Sequence, residues 1–242
     1  MTPRLATAIA WLEQHIDDAG WAARANRAGP IELSLTRMHA LADALGNPQH
    51  RLRTVHITGT NGKGSTAAIV TRLLLAEGRR VGTYTSPHLS RYNERIQVDD
   101  TPIGDDTFAD LLERVAAAEA AIGQRSRPFE LLTAAALCHF ADQKVDVAVI
   151  EVGMLGRFDA TNVVDADVAV ITNIGFDHTT GEGDWRHRIV AEKAGIVTPR
   201  SVAILGPIED RLAAVVATER PRALWRFGRD ITVTRDVAIP TG

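Results

Sequence analysis

The chain has 242 residues, of which 45% are hydrophobic and 24% are charged, and its formal net charge at pH 7 is −3. This is an ordinary globular composition, and so small a net charge gives no electrostatic reason to expect nucleic acid or a membrane surface as a partner. A single cysteine excludes an internal disulfide, and no apolar run has the form of a secretory signal or a membrane span, so we expect a cytoplasmic protein.

Helical and strand patterns alternate along the chain. Two amphipathic helices come first, at 3–18 and around 35–45. From residue 52 onward, short apolar runs alternate with helical patterns. The predicted strands are 52–57, 80–85, 95–98, 145–152, 168–174, 201–206 and 223–228, and the predicted helices between them are about 65–77, 108–122, 129–142 and 208–218.

The predicted strands are mostly continuous apolar runs, which indicates burial on both faces. Together with the intervening helices, they predict an α/β fold with a mostly parallel sheet and helices on both faces. The run at 95–98, followed by Asp99-Asp100, instead predicts a short hairpin. Ligands of parallel sheets bind beyond the carboxyl ends of the strands, and the unusual residues of this chain follow such ends.

A glycine-rich turn after the strand at 52–57 predicts a phosphate-binding loop, with the sequence Gly59-Thr60-Asn61-Gly62-Lys63-Gly64-Ser65. Glycines let backbone N–H groups converge on phosphate, the lysine adds a charge, and the following helix adds its positive end. The loop departs from the standard G-x-x-x-x-G-K-[ST] pattern, since Ile57 stands six residues before Lys63 and Gly64 directly follows it. The metal-binding hydroxyl is therefore expected from Ser65 or from elsewhere. A plain turn with an incidental lysine is the alternative.

Five motifs together resemble the Mur-ligase superfamily: ITGTNGKGS (57–65), TSPHL (85–89), EVGMLGRFDATN (151–162), NIGFDH (173–178) and EKAGI (192–196). Within it, GKGS, SPHL and RFDATN are most similar to the folylpolyglutamate/dihydrofolate synthase branch, because the cell-wall branch tends to have threonine after the lysine. The resemblance covers roughly residues 30–205. It implies the P-loop-type ATP-binding domain of a Mur ligase.

The resemblance also implies a reaction. ATP phosphorylates a substrate carboxylate to an acyl phosphate, the amine of L-glutamate attacks it, and ADP and phosphate leave. The implied substrates are ATP, L-glutamate and either a folate or dihydropteroate, and a monomer is expected. Two alternatives stay open: another Mur-like ligase of the peptidoglycan or cyanophycin type, and a nucleotide-binding fragment without ligase activity.

Matching the family's motifs assigns roles at the nucleotide and metal site. The implied nucleotide-binding residues are Thr60, Asn61, Gly62, Lys63, Gly64 and Ser65. The implied metal ligands, for two Mg²⁺ ions, are Ser86, Glu151 and His178. The implied catalytic residues are Lys63, Glu151, His178 and Lys193. Glu151 is an oxygen ligand suited to a hard cation. Histidine is an unusual Mg²⁺ ligand, so a hydrogen-bonded Asp177-His178 turn is the alternative there. Lys193 matches a carbamylated lysine, with an ion pair to Glu192 or to a neighbouring acid as the alternative.

The same matching implies substrate-binding residues on the pterin side, namely Glu32, Leu33, Phe129, Glu130, Arg157, Phe158 and Asp159. An aromatic face can stack on a flat heterocycle, and a carboxylate can accept hydrogen bonds from its amino groups. Core packing is the alternative for Phe129, and a solvated acid for Glu32. Leu155 stands where the family has a glycine, which alters the expected pocket. Residues 184–186 are expected to begin a helix.

The family's later G-x-H-Q-x-x-N helix and its C-terminal glutamate-ligase domain have no counterpart up to Gly242. We therefore expect residues 1–242 to be the N-terminal and central ATP-binding domain, inactive as a ligase by itself.

Overall fold

A computed structural model describes residues 1–16, 34–176 and 181–233. Its helices are α1 (Pro3–Glu13), α2 (Thr36–Ala44), α3 (Lys63–Ala76), α4 (Asp105–Ile122), α5 (Pro128–Asp142), α6 (Trp185–Ala194) and α7 (Asp210–Ala217). Its strands are β1 (Thr54–Thr58), β2 (Val81–Tyr84), β3 (Ile96–Val98), β4 (Thr101–Pro102), β5 (Val147–Glu151), β6 (Val168–Ile171), β7 (Val202–Leu205) and β8 (Ala223–Arg226). No helix within these ranges is both long and apolar enough to cross a membrane.

The eight strands form one sheet in the order β4-β3-β2-β5-β1-β6-β7-β8. The six strands from β2 to β8 in this order are parallel, and β3 and β4 form the predicted antiparallel hairpin at one edge. The predicted mostly parallel α/β fold is confirmed.

Both faces of the sheet are covered. Successive residues of a strand point to opposite faces: Ala148 and Ile150 of β5 belong to the core under α1, α2, α4 and α5, whereas Val149 belongs to the core under α3. A third group of buried residues joins β6 and β7 to α6 and α7. Because the helices cover both faces of the sheet, the connecting loops lie at its two ends, where the strands begin and finish.

The register of the central strands positions the site. Ile57 of β1 pairs with Glu151 of β5, Thr58 pairs with Ile171 of β6, and Tyr84 of β2 pairs with Ile150. The carboxyl ends of β2, β5, β1 and β6 therefore lie side by side. Consequently the loops that follow these strands, which carry four of the five motifs, meet at the carboxyl ends of the parallel strands.

Several predicted boundaries were wrong by a few residues, most clearly those of one strand and one helix. The strand predicted for 168–174 ends at Ile171, because the residues that follow hydrogen-bond to the phosphate loop: Thr60 N donates to Asn173 O at 3.3 Å. The helix predicted for 3–18 ends at Glu13, and its last two residues lie outside the described ranges. The helix expected at 184–186 does begin there: Asp184 caps α6 by accepting from His187 N at 3.3 Å.

Candidate functional site

The phosphate loop joins β1 to α3 through two glycines with positive φ. Gly59 has φ +152°, and a Cβ there would lie 1.8 Å from Thr172 Oγ1, so no larger residue fits. Gly62 is the N-cap of α3 with φ +78°, in the left-handed region that favours glycine. The loop thus delivers the chain directly to the N-terminus of α3, where the first N–H groups have no partner within the helix. This is the geometry of an anion-binding turn.

Lys63 lies at the centre of this turn. Its Nζ donates to Gly59 O at 3.0 Å, so the ammonium group folds back over the loop. Ser65 is exposed on the first turn of α3, and Gly64 is partly buried beside β5. The structure therefore places the predicted nucleotide-binding residues around one helix N-terminus.

Three residues after β6, to which the sequence analysis assigned no role, hydrogen-bond to this loop. The side chain of Asn173 accepts from Asn61 N at 3.0 Å and donates to Asn61 O at 3.1 Å. Thr172 Oγ1 also donates to Asn61 O, at 2.6 Å, and Gly175 N donates to Thr60 Oγ1 at 3.0 Å. The available signal was that Asn173 belongs to the NIGFDH motif at a strand end.

The predicted metal ligands that the structure describes lie next to the loop. Glu151 is buried, with 4% of its surface exposed, and its Oε2 accepts from Ser86 N at 3.0 Å. A Cβ on Gly64 would lie 3.6 and 3.7 Å from the two carboxylate oxygens. The carboxylate therefore lies between the SPHL loop and the position where a standard phosphate loop carries its hydroxyl.

Burial raises the pKa of Glu151 above its ordinary value, and the Ser86 N–H and the charge of Lys63 oppose this shift. A buried carboxylate next to a serine offers the oxygen donors that Mg²⁺ prefers, so these residues fit such an ion. His178 lies outside the described residues. Within residues 1–16, 34–176 and 181–233, no three or more His, Cys, Asp or Glu side chains are grouped as for a metal, so the number of ions stays a prediction.

Lys193 is fully buried in α6, with 0% of its surface exposed. α6 packs against the loop after β5: a Cβ on Gly156 would lie 3.2 Å from Lys193 Cα, and Arg157 N donates to Glu192 O at 2.8 Å. Burial also raises the pKa of Glu192, while Arg157 lowers it. The structure therefore places the backbone of Lys193 beside the loop after β5, and both its catalytic role and its carbamylation stay predictions.

Among the residues predicted to bind a pterin, the structure brings Phe129 to the loop after β5. A Cβ on Gly153 would lie 2.5 Å from Phe129 Cζ and 3.1 Å from Asp159 Oδ2. The Phe129 ring lies 5.9 Å from that of Tyr84. Phe129 and Asp159, 30 positions apart in the sequence, therefore flank the same glycine.

Glu130 is held by an arginine to which the sequence analysis assigned no role. Arg37 Nε donates to Glu130 Oε2 at 2.9 Å, and Arg37 Nη2 donates to Oε1 at 3.1 Å. Glu130 also caps its own helix by accepting from Arg127 N at 2.6 Å. These contacts engage both carboxylate oxygens, so Glu130 fixes the start of α5 beside Phe129. Glu32 and Leu33 lie outside the described residues.

The three residues at 157–159 point in different directions. Asp159 is buried and accepts from Thr161 Oγ1 at 2.5 Å and from Met154 N at 2.8 Å; burial raises its pKa, and these hydrogen bonds oppose the shift. Arg157 forms an ion pair with Glu219 and donates to Ala191 O at 3.0 Å, toward α6 and the end of α7. Phe158 is 41% exposed. Of the three, Asp159 lies next to Phe129.

Leu155, which stands at the family's glycine position, has φ +59°. Its carbonyl accepts from Thr58 Oγ1 at 2.5 Å, which holds the backbone in this left-handed conformation. Left-handed backbone costs a residue with a Cβ about 1–2 kcal/mol. The left-handed backbone at this position therefore explains why the family motif has a glycine there.

We expect Leu155→Gly to change the free energy of unfolding by less than about 1 kcal/mol, because relief of the left-handed strain offsets the larger entropy of the unfolded glycine. Leu155→Val is expected to destabilise by about 1–2 kcal/mol, since a β-branched residue tolerates positive φ poorly. Urea unfolding measures both, with Leu89→Val on the exposed SPHL loop as the control. A Leu155→Val protein as stable as the parent would contradict the assigned backbone conformation.

Comparison with known proteins agrees with this geometry. The family described as the Mur ligase middle domain matches residues 57–236. The chain belongs to the Mur ligase family. Within that family it lies in the folylpolyglutamate/dihydrofolate synthase branch, as the motifs predicted.

Two relatives and two solved structures show the extent of the similarity. The chain is 44% identical over 210 residues to the dihydrofolate synthase/folylpolyglutamate synthase of Mycobacterium tuberculosis, covering 80% of this chain and 43% of the relative. It is 40% identical over 207 residues to the folylpolyglutamate synthase of Lacticaseibacillus casei, covering 82% and 48%. The structure of the M. tuberculosis folylpolyglutamate synthase complexed with ADP superposes with a TM-score of 0.83 at 38% identity, covering 96% of this chain and 52% of that one. A structure described as an FPGS-AMPPCP-folate complex gives 0.80 at 34% identity, covering 93% and 54%. The chain thus spans about half the length of these relatives.

Proposed function

We propose that this chain is the ATP-binding part of an ATP-dependent ligase that joins L-glutamate to the carboxylate of a folate or of dihydropteroate. The observation that carries the proposal is the meeting of the phosphate loop, Ser86 and the buried Glu151 at one edge of the sheet. Relatives named for this activity, and similar structures described as complexes with ADP, AMPPCP and folate, support it.

In this proposal the phosphate loop binds the triphosphate of ATP. The N–H groups at the start of α3 and the ammonium group of Lys63 would contact phosphate oxygens, which requires Lys63 to exchange its hydrogen bond to Gly59 O for the nucleotide. Glu151, Ser86 and His178 would hold Mg²⁺, with two ions expected. The metal would supply positive charge that balances the charge of the phosphates.

The chemistry then needs the acceptor carboxylate near the γ-phosphate. Its oxygen attacks phosphorus, ADP leaves, and the resulting acyl phosphate is attacked by the glutamate amine with release of phosphate. Phe129 and Asp159 are proposed to line the pterin side, and Arg37 to fix Phe129 through Glu130. Positioning of this kind is a large part of what an enzyme contributes to such a transfer.

The finer assignments are part of the same proposal. Lys193 is proposed to be carbamylated, which would replace a buried ammonium by a carboxylate. The protein is proposed to be a cytoplasmic monomer. Because the relatives are about twice as long, the groups that bind glutamate are proposed to lie in a C-terminal domain equivalent to their remaining half.

A second candidate function is a nucleotide-binding unit without ligase activity, which is favoured by the matched region covering only 43% of a relative. We expect the 242-residue chain to bind MgATP weakly and to form no glutamate conjugate. Without groups that hold glutamate, near-attack geometry is lost, and a misplacement of about 1 Å can cost about a hundredfold in rate.

The test incubates the chain with MgATP, labelled L-glutamate and either tetrahydrofolate or dihydropteroate, and detects conjugate by mass spectrometry. A full-length relative serves as the positive control, and titration calorimetry measures nucleotide binding in parallel. Conjugate formed at ordinary enzymatic rates would show that the remaining half of the relatives is dispensable. Absence of MgATP binding would overturn the proposed nucleotide site itself.

A further inference from the structure

The side chain of Asn173 pairs with the backbone of Asn61 as another peptide group would. Its Oδ1 accepts from Asn61 N at 3.0 Å, and its Nδ2 donates to Asn61 O at 3.1 Å. Thr172 Oγ1 donates to the same carbonyl at 2.6 Å. Two donors therefore converge on one carbonyl oxygen of the phosphate loop.

Holding this carbonyl also determines where the next N–H points. In a trans peptide the C=O of one residue and the N–H of the following residue point in opposite directions. With Asn61 O directed at Thr172 and Asn173, the N–H of Gly62 must point away from them. Gly62, with φ +78°, is the residue that could most easily accommodate a flip of this peptide, because glycine adopts both signs of φ.

A flipped peptide would be harmful to anion binding. It would replace the Gly62 N–H by a carbonyl oxygen, whose partial negative charge repels phosphate. We propose that Asn173 is a positioning residue that locks the Asn61–Gly62 peptide so that its N–H faces the phosphates of a bound nucleotide. This inference rests on the proposed nucleotide-binding function and identifies what keeps the loop ready for its ligand.

The carboxamide is needed because it both donates and accepts. Asn173→Ala removes both interactions and leaves Thr172 as the remaining side-chain donor to Asn61 O. Asn173→Asp keeps an acceptor for Asn61 N but loses the donor, and adds a negative charge beside the expected phosphates. The two substitutions therefore predict different dependences on ionic strength.

The test measures MgATP binding to the 242-residue chain by calorimetry at low and high salt, with thermal unfolding as a check on the fold. Asn173→Ala is expected to weaken binding about tenfold at both salt concentrations, the effect of losing about one hydrogen bond from the Gly62 N–H to phosphate. Asn173→Asp is expected to weaken it more at low salt, about a hundredfold, with the excess over Asn173→Ala shrinking at high salt because salt screens the added charge.

Asn47→Asp is the matched control. It makes the same change from amide to carboxylate. Asn47 precedes β1, however, and so lies on the side of the sheet where the parallel strands begin, away from the phosphate loop. Its affinity for MgATP is expected to equal that of the parent at both salt concentrations. Loss of affinity in this variant equal to that in Asn173→Asp would reduce the effect to net charge and overturn the inference.

The outcomes separate the two proposals. If the parent chain binds MgATP and a folded Asn173→Ala variant binds it equally well, the positioning role is wrong and the nucleotide site stands. If the parent does not bind, both are overturned. Should Asn173→Ala fail to fold, Thr172→Val decides, since it removes the other donor to Asn61 O: a several-fold loss supports the locked peptide, and unchanged affinity contradicts it.

Discussion

Glu151→Gln is expected to remove the Mg²⁺ dependence of nucleotide binding by this chain. The parent chain should bind ATP more tightly with Mg²⁺ than with a chelator present, whereas the variant should bind equally weakly in both. Glutamine has the shape of the buried side chain but not its negative charge, and it cannot neutralise a divalent cation. Calorimetric titration with and without Mg²⁺ measures the difference.

The stability of the same variant has an expected sign. Burial raises the folded-state pKa of Glu151 above its unfolded value, so the ionised group opposes folding. This penalty is absent below the unfolded pKa and develops as the pH rises through the raised folded value. Glu151→Gln should therefore unfold at an equal or higher temperature than the parent at pH 7, and the gain should disappear in acid. A stable protein that has lost Mg²⁺-dependent binding would exclude misfolding as the cause.

Glu113→Gln provides the control for this experiment. Glu113 is an exposed acid whose pKa is lowered by its hydrogen bond to Arg4, on helices α4 and α1 away from the phosphate loop. Its substitution should leave Mg²⁺-dependent binding unchanged and give no gain in stability at pH 7. If Glu151→Gln keeps the parent's dependence on Mg²⁺, Glu151 is not a metal ligand and the proposed site has to be redrawn.

Lys63→Ala is expected to weaken MgATP binding by about ten- to a hundredfold, the effect of losing one hydrogen bond from a charged group. In the structure the hydrogen bond from Lys63 Nζ to Gly59 O, 3.0 Å long, holds the ammonium group over the loop. A phosphate oxygen can replace Gly59 O as its acceptor. The variant should still fold, because the hydrogen bond lost within the protein contributes only about 1 kcal/mol. Calorimetric titration with MgATP measures the affinity.

Lys144→Ala is the matched lysine substitution, since Lys144 precedes β5 and so lies at the opposite edge of the sheet. It should bind MgATP as the parent does. Unchanged affinity in a folded Lys63→Ala variant would contradict the phosphate-loop assignment, even if the fold and family are correct.

The sequence by itself determined the fold class and the family, and it located the glycine-rich turn that is the predicted phosphate loop. Burial on both faces of a strand produces a continuous apolar run, as in 145–152, and such a run is visible without any knowledge of its neighbours. The glycines and the lysine at 59–64 are equally local signals, because they reflect backbone conformation and charge within one turn. Leu155 was recognisable as a departure from the motif, but its positive φ was not.

The tertiary structure decided which side chains meet. The pairing of Ile57 with Glu151 sets the buried carboxylate beside the phosphate loop, and it is a contact between strands 94 positions apart. The hydrogen bonds between Asn173 and Asn61 join residues 112 positions apart, and those between Arg37 and Glu130 join residues 93 positions apart. Hydrophobic periodicity reports burial of one element at a time, whereas such polar partners depend on strand order and register. For this reason the sequence indicated a phosphate-binding loop, and the folded chain showed what holds it in place.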